Sequence, residues 1–263
     1  MIPKLIHIFW DEEDIPEKLK LFINNIKRNN KDFKVKIYSS KDLPFDLQNV
    51  IPQFKSDVFR LYALYMYGGI YIDISSVFFD NIKKAVDLSD DRVQGYSIPM
   101  GYDIQYDNIT DFTLENWILA CGKKNPFIYK WLLNVLIAYN IGYNEYIYLH
   151  RNLMNDYFKT RLPYLMEHFA YHVTCEDLGI PVNKNNKYIK LIGISHEPKN
   201  PFYIQHLFKW KRYNMINFLL NKPYVKGIGI FIKFTGGDRR YILKCIDEGR
   251  YKKDSVLGKA LIL

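Results

Sequence analysis

Residues 56–75 read SDVFRLYALYMYGGIYIDIS and join a helical pattern to a short apolar strand. The first twelve residues predict a helix with Ser56 as its N-cap, because a serine hydroxyl can accept a hydrogen bond from the first turn. The pair Gly68-Gly69 predicts the end of that helix, since glycine readily adopts the left-handed backbone found there. Ile70–Asp73 then predicts a short buried strand. The stretch therefore indicates a helix that turns directly back into a core strand.

The residues before this stretch continue the same alternation. Lys4–Trp10, KLIHIFW, predicts a buried first strand, Pro16 predicts the start of a helix, and Phe33–Tyr38 predicts a second strand. A strand-helix-strand-helix-strand order is typical of an α/β fold with helices packed on a mostly parallel sheet. Ligands of such sheets bind beyond the carboxyl ends of the strands. Asp73 lies at such an end.

The rest of the chain carries weaker signals. Further strands are predicted at Gln94–Met100, Asn116–Ala120 and Gly227–Phe234. Residues 202–220 predict one basic helix, which makes the C-terminal part more helical. No repeat or linker marks a boundary, so we predict one large domain over residues 1–200 and an extension, 201–263, packed on it.

Composition places the chain among ordinary globular proteins. The 263 residues are 48% hydrophobic and 25% charged, which excludes a disordered tail and a membrane bundle. Lys and Arg number 37 against 28 Asp and Glu, a net charge of +9. This excess favours anionic partners such as nucleotide phosphates or an anionic membrane. No nucleic-acid-binding module accompanies the charge, so we expect no nucleic-acid partner.

The cysteines and the N-terminus indicate a compartment. The three cysteines lie far apart without a CxxC pair, which disfavours a zinc site and a disulfide framework and favours a reducing environment. The first residues lack the pattern of a signal peptide. No stretch has the ~18 apolar residues of a membrane span. We therefore expect a cytoplasmic protein with, at most, a peripheral membrane contact.

The side chains of residues 56–75 also indicate chemistry. Asp57 and Arg60 are three residues apart and share a helical face. Tyr71 and Asp73 are delivered to the edge of the predicted sheet. Such groups can bind ribose hydroxyls, phosphate or a divalent cation. The alternatives are that Asp57 caps its helix and pairs with Arg60 on the surface, and that Asp73 is a turn residue.

Together, KLIHIFW and the pattern SDxxRxxxLxxxGGIYxDxS resemble the sugar-binding region of glycosyltransferases that contain a DXD motif. The resemblance is to glycosyltransferase family 32 and the capsular polysaccharide synthesis proteins, and more distantly to the clostridial toxin glucosyltransferase domains. It implies a GT-A fold with a Rossmann-like sheet. It also implies hexose transfer from a UDP- or GDP-sugar to a glycan or lipid-linked glycan, with retention at the anomeric carbon.

The resemblance also implies roles for individual residues. Ile6 and His7 would place backbone near the nucleobase, and Trp10 would stack on it, unless Trp10 is a core residue. Asp57 and Arg60 would bind donor hydroxyls. Tyr71 would contact the donor beside the diphosphate. Asp73 would be the first acid of the motif, a catalytic residue together with Arg60, and a ligand of Mn²⁺ or Mg²⁺.

Two positions depart from the family pattern. Ser75 stands where many relatives have the second acid, and a serine is a weaker ligand for a hard cation. Ile230–Gly236, IFIKFTG, resembles a motif in which a metal-binding histidine precedes Phe-Thr-Gly, and here Lys233 takes that place. One hypothesis is transfer with weak or absent metal dependence, in which Lys233 and Arg60 supply positive charge. The alternative is that Lys233 is an ordinary solvated strand residue.

Two other classes of function remain open at this point. A degenerate DXD motif would suit a protein that binds a nucleotide-sugar or glycan without turnover. The segment 204–220 mixes basic and aromatic residues, and a basic amphipathic helix can lie on an anionic membrane. The alternative for that segment is a helix packed on the core.

Overall fold

A computed structural model describes residues 1–12, 14–45, 47, 50–99, 112–197, 200–224 and 228–263. The chain divides into two compact units, each assembled from separate segments. The first unit comprises Met1–Asp11, Lys36–Ile72 and Asp87–Ile194. The second comprises Glu12–Val35, Asp73–Val86 and Ser195–Leu263. The segment 195–263 thus shares its unit with two pieces of the N-terminal region, and the predicted division at residue 200 stays a prediction.

A seven-stranded sheet forms the first unit. Its strands are β1 (Leu5–Phe9), β2 (Lys34–Tyr38), β3 (Gly69–Ile72), β5 (Val93–Pro99), β6 (Phe112–Leu114), β7 (Ile118–Cys121) and β8 (Ile189–Ile194). The order is β2-β1-β3-β7-β5-β6, and β8 pairs with β5. Met100 of the predicted strand Gln94–Met100 lies outside the described residues.

Strand direction makes the sheet mixed. β1 runs parallel to β3, with Ile6 opposite Ile70 and His7 opposite Tyr71, and β5 runs parallel to β8. β7 runs antiparallel to both β3 and β5, and β6 runs antiparallel to β5. The predicted α/β class, with helices packed on a central sheet, is confirmed. The parallel pair of β1 and β3 is the part of the sheet that positions Asp57, Arg60 and Tyr71.

Helix α2 (Pro52–Tyr67) carries two of the predicted site residues. Its first residue is a proline, which suits the first helical position because its missing N–H would have no partner there. The predicted start at Ser56 is therefore wrong, and Asp57 lies in the second turn and does not cap the helix. The predicted end at Gly68 is confirmed by a φ of 64°.

The glycine pair also permits a close approach between strands. A Cβ on Gly69 would lie 2.4 Å from the Leu5 carbonyl oxygen, which only a glycine avoids. Strand β3 can therefore begin immediately after α2 and pair with β1.

The remaining helices of the first unit are α3 (Pro126–Ile141), α4 (Tyr143–Leu149), α5 (Asp156–Lys159) and α6 (Met166–Asp177). Helix α3 packs against both α2 and α6. Trp131, Phe127 and Tyr171 are fully buried between these helices and the sheet. Burial of each such side chain stabilises the fold by about 2–3 kcal/mol.

The second unit is built around a two-stranded antiparallel sheet of β4 (Ser76–Phe78) and β9 (Phe231–Lys233), in which Ser76 lies opposite Lys233. Its helices are α1 (Lys20–Asn29), α7 (Tyr203–Leu207), α8 (Arg212–Asn221), α9 (Gly236–Asp247) and α10 (Val256–Leu261). Gly227 of the predicted last strand lies outside the described residues.

A buried asparagine fixes the outer edge of β4. Asn25 donates to the Phe78 carbonyl over 2.9 Å and accepts from the Phe78 N–H over 2.6 Å. Its amide therefore replaces a neighbouring strand at this position. Two short strands alone would be only marginally stable. The Asn25 side chain supplies hydrogen bonds that a further strand would otherwise make.

The prediction of one helix over residues 202–220 is wrong. Helices α7 and α8 are separated by a turn in which Lys209 and Trp210 have φ values of 46° and 57°. Positive φ is uncommon for residues other than glycine, so these two residue types do not indicate the break. Among the described residues, none of the helices has the length and hydropathy that crossing a membrane requires.

Candidate active site

In the first unit, Arg60 lies at the centre of a buried cluster. Its Nη1 donates to Asp57 Oδ1 over 2.7 Å and also to Glu167 Oε2, and its Nη2 donates to Ser56 Oγ over 3.1 Å. The side chains of Arg60, Asp57 and Glu167 are 5%, 13% and 1% exposed. The pair Asp57–Arg60 therefore forms as predicted, but it is buried and does not lie on the surface.

Glu167 is a residue that the sequence analysis missed. It lies 107 positions beyond Arg60, on helix α6, and no local pattern marks it. Asn116 Nδ2 donates to the same carboxylate oxygen over 2.7 Å. Burial raises the pKa of Glu167, the Arg60 charge opposes this, and the neighbouring Asp57 raises it again. The Glu167 carboxyl therefore holds a proton more readily than an exposed glutamate.

Tyr71 completes this cluster from strand β3. Its hydroxyl lies 2.9 Å from Ser56 Oγ, and the Arg60 guanidinium stands over its ring at 4.8 Å from the centroid. The helix and the strand that the glycine pair joins thus converge on one point, as predicted. Tyr71 is 1% exposed, so its ring packs against the Arg60 guanidinium in the protein interior.

The predicted nucleobase residues lie on strand β1 and just after it. Ile6 and His7 are fully buried. His7 Nε2 donates to the Gly68 carbonyl over 2.7 Å, because a carbonyl can only accept. Burial lowers the pKa of His7 to about 4, so the ring is neutral near pH 7. Trp10 is partly exposed, and its backbone N–H donates to the Tyr38 carbonyl over 2.9 Å.

In the second unit, the residues of the Asp-x-Ser motif contact a lysine. The Ser76 N–H donates to the Asp73 carbonyl over 3.2 Å, which closes a tight turn that places Asp73 and Ser75 on one side. Lys233 Nζ donates to Asp73 Oδ2 over 2.6 Å and to Ser75 Oγ over 3.0 Å. The side chains of Lys233 and Asp73 are 9% and 26% exposed. The alternative of a solvated Lys233 is therefore wrong.

A second cation lies near the same carboxylate. Burial lowers the pKa of Arg239, and the negative charge of Asp73 raises it. Arg239 belongs to helix α9, whose N-cap Thr235 follows Lys233 by two residues. The Asp73 carboxylate therefore interacts with the charge of Arg239 as well as with Lys233.

The Asp73 region offers a poor donor set for the Mn²⁺ or Mg²⁺ that a DXD motif implies. Hard cations require several oxygen ligands, usually with carboxylates among them. Here one carboxylate and one hydroxyl are present, and the Lys233 ammonium lies between them. Within the described ranges, no group of three or more His, Cys, Asp or Glu side chains could hold a metal ion. The residues therefore do not fit the implied cation.

The predicted site residues thus form two groups. Asp57, Arg60 and Tyr71 meet in the first unit, and Asp73, Ser75 and Lys233 meet in the second. The predicted meeting of Asp57 with Asp73 stays a prediction. The roles predicted for Ile6, His7 and Trp10 toward a nucleobase also stay predictions.

Several known proteins are similar to this chain. Inositol phosphoceramide mannosyltransferase 1 of Schizosaccharomyces pombe is 28% identical over 149 residues, which cover 51% of this chain and 43% of that protein. The chain therefore spans less than half the length of that relative. The PaToxG glycosyltransferase structure matches 71% of this chain and 81% of its own, with 21% identity and a TM-score of 0.37.

Another solved structure covers more of the chain at lower identity. It is a glycosyltransferase involved in the glycosylation of the major capsid of PBCV-1, with 11% identity over 92% of this chain and 100% of its own, and a TM-score of 0.41. Residues 2–91 match the family model described as the glycosyltransferase sugar-binding region containing a DXD motif. This match includes Asp57, Arg60, Tyr71 and Asp73. The first third of the chain is therefore similar to the glycosyltransferase sugar-binding region that contains a DXD motif.

Proposed function

We propose that the chain transfers a hexose from a nucleotide-diphosphate sugar to a glycan or lipid-linked acceptor. One observation carries this proposal. Within the region that matches the DXD family, Arg60 holds Asp57 in a fixed position at 2.7 Å, and Asp57 keeps some solvent access at 13% exposure. A carboxylate oriented in this way can accept hydrogen bonds from sugar hydroxyls.

The reaction can be written in terms of bonds. The bond between the anomeric carbon and the diphosphate oxygen breaks, and its electron pair stays with the diphosphate. A bond forms between the anomeric carbon and the acceptor hydroxyl oxygen, and the acceptor proton passes to the leaving phosphate oxygen. Negative charge develops on the leaving group, so fixed positive groups near it lower the barrier. Attack on the face that the diphosphate leaves would retain the anomeric configuration.

The cluster around Arg60 supports a role in positioning the donor sugar. The fork of Arg60 is occupied by Asp57, Glu167 and Ser56, and its flat face lies on Tyr71. Such a guanidinium loses little further entropy when the donor binds, because its side chain is already fixed. Asp57 would then orient the donor sugar for the transfer step.

A lipid-linked acceptor is supported by the surface of the second unit. Exposed apolar and basic side chains alternate in one segment, which contains Leu207, Lys209, Trp210, Lys211, Arg212 and Tyr213. Basic residues near an anionic membrane contribute about 1 kcal/mol each, and an aromatic ring suits the interface. The relative from Schizosaccharomyces pombe is named for an inositol phosphoceramide acceptor. These features favour a peripheral contact with a membrane that holds the acceptor.

Donor hydrolysis without acceptor tests the proposal. UDP-glucose, UDP-galactose and GDP-mannose are incubated with the protein in Mn²⁺ and in EDTA, and the released nucleotide is measured. We expect slow release from one nucleotide class. Asp57→Asn should lower that release about 10- to 100-fold, because a hydrogen bond to a charged group contributes about 1.5–3 kcal/mol.

The matched control is Asp156→Asn, which changes a carboxylate that is 96% exposed in the same unit and should leave release unchanged. Binding without release would favour the alternative of a non-catalytic nucleotide-sugar or glycan binding protein. A saturating donor should raise the unfolding free energy by about 2.7 kcal/mol at 100 times its Kd. A folded protein that no donor stabilises would contradict both readings.

A further inference from the structure

The ammonium of Lys233 lies between the two side chains of the Asp-x-Ser motif, 2.6 Å from Asp73 Oδ2 and 3.0 Å from Ser75 Oγ. We propose that Lys233 takes the place of the divalent cation, so that this chain binds and cleaves its donor without a metal. The inference rests on the proposed function and names the group that serves its leaving diphosphate.

Charge balance supports this assignment. A site with two carboxylates and one divalent cation is neutral, and a site with one carboxylate and one ammonium is neutral as well. Replacing the second acid by Ser75 and the metal by Lys233 therefore conserves the net charge. A serine in that position is consistent with a compensated site, because a second carboxylate would leave the buried cluster with a negative charge.

The fold holds Lys233 firmly in this position. Its N–H donates to the Pro201 carbonyl over 3.1 Å, and its own carbonyl accepts from Gln205 Nε2. Phe234 N–H donates to the Ser75 carbonyl over 3.0 Å, which continues the ladder of β4 and β9 past Ser76. The strand register, and not a flexible surface chain, thus sets where the ammonium lies. A fixed charge needs no rearrangement when the leaving group becomes anionic.

Lys233 is a better source of this charge than Arg60. The guanidinium of Arg60 is shared by Asp57 and Glu167, so its charge is already offset. The Lys233 ammonium donates to one oxygen of the Asp73 carboxylate and to the neutral Ser75 hydroxyl. As the bond from the anomeric carbon to the diphosphate oxygen breaks, the electron pair on that oxygen would be stabilised by this ammonium.

Donor hydrolysis and Mn²⁺ binding test the inference together. Wild type is compared with Lys233→Met, Lys233→Arg and the double variant Ser75→Asp/Lys233→His, each in EDTA and in Mn²⁺, and titration calorimetry measures Mn²⁺ binding directly. Lys84→Met is the matched control, because it removes an exposed lysine paired with Asp80 in the same unit.

We expect wild type to release nucleotide at the same rate, within about twofold, in EDTA and in Mn²⁺. Lys233→Met should lose about 100-fold or more in both media, since a lost charge-stabilising donor has that effect. Lys233→Arg should keep part of the rate in EDTA. The double variant should bind Mn²⁺ and work only in its presence. Lys84→Met should match wild type.

Strict dependence of wild type on Mn²⁺, with saturable Mn²⁺ binding, would overturn the inference and leave the proposed function standing. Unchanged turnover in Lys233→Met would overturn it as well. Wild type that releases no nucleotide from any donor, in either medium, would overturn the proposed function and this inference with it. Melting temperatures close to that of wild type show that a loss of rate is not a loss of folding.

Discussion

The molecule holds two clusters of cations and carboxylates that differ in how they are built. In the Arg60 cluster (Ser56, Asp57, Arg60, Tyr71 and Glu167), side chains from three elements surround one guanidinium. In the Lys233 cluster (Asp73, Ser75 and Lys233), two backbone segments align one ammonium with a turn, and Asp73 remains 26% exposed. The first cluster depends on packing, and the second depends on strand register.

The two clusters therefore suit different roles. The Arg60 cluster suits a positioning and stabilising role, and the Lys233 cluster suits the chemistry at the leaving group. Asp57 and Glu167 share Arg60, and burial raises the pKa of Glu167, which disfavours a second negative charge there. In the second cluster the Asp73 carboxylate faces the Lys233 ammonium, so the two charges balance. A neutral buried cluster suits the orientation of sugar hydroxyls. A more accessible cluster with a fixed ammonium suits a diphosphate.

The largest expected effect on stability comes from Arg60→Met. It leaves Asp57 and Glu167 buried without their cation, and removing one partner of a buried pair costs about 3–5 kcal/mol. Urea denaturation followed by circular dichroism measures this loss. The matched control is Arg151→Met, because Arg151 also stands over a tyrosine ring, at 4.7 Å from Tyr148, but is exposed. That variant should lose less than about 1 kcal/mol. Equal losses in the two variants would show that burial adds nothing to the contribution of Arg60.

A smaller and pH-dependent effect is expected from Glu167→Gln. The pKa of Glu167 is raised on folding, so between its unfolded pKa and its folded pKa the native state binds one more proton than the unfolded chain. Wild type should therefore lose up to about 1.4 kcal/mol per pH unit from this group as the pH rises above about 5. Glutamine does not titrate, so the variant should gain on wild type by that amount.

Denaturation at pH 5, 6, 7 and 8 measures the difference between the two curves. Glu176→Gln is the control, because Glu176 lies on the same helix and is exposed. It should follow wild type at every pH. Parallel curves for wild type and Glu167→Gln would mean that Glu167 titrates alike in the folded and unfolded chains, and the account of the Arg60 cluster would be wrong.

The smallest effect is expected beside the Lys233 cluster. Thr235 caps helix α9, accepting from the Asp238 N–H over 3.1 Å, while its own N–H donates to Asp238 Oδ2 over 3.0 Å. Thr235→Ala should cost about 1 kcal/mol, and Thr235→Ser should cost much less because the hydroxyl remains. Thermal unfolding compares them. A loss above about 3 kcal/mol would show that Thr235 contributes more than its cap to this region.

Much of the first cluster could be predicted from the sequence because its contacts are local. Asp57 and Arg60 are three residues apart on a helix, and the glycine pair brings Tyr71 back beside them. Glu167 could not be predicted, since a pairing across 107 residues has no local signal. The start of α2 was misplaced because two start signals compete, and the proline at position 52 prevails over the serine at position 56.

The second cluster was accessible only through resemblance. Lys233 is 160 residues from Asp73, and nothing in the spacing indicates that they meet. The break between α7 and α8 was missed for another reason. Lys209 and Trp210 adopt positive φ, and no glycine or proline marks the position. The apolar and basic pattern continues through the break, so it predicted one helix where there are two.

The pairing of Ser76 with Lys233 has a consequence for how relatives of this chain diverge. A change to aspartate at position 75 alone would place two carboxylates on one ammonium, and a change to histidine at position 233 alone would leave Asp73 without its cation. Each single change leaves the cluster with a net negative charge, and the two changes together, with a divalent cation bound, exchange one neutral arrangement for another. Positions 75 and 233 are therefore expected to covary among relatives. Serine at position 75 should occur with lysine at position 233, and an acid at position 75 should occur with histidine at position 233.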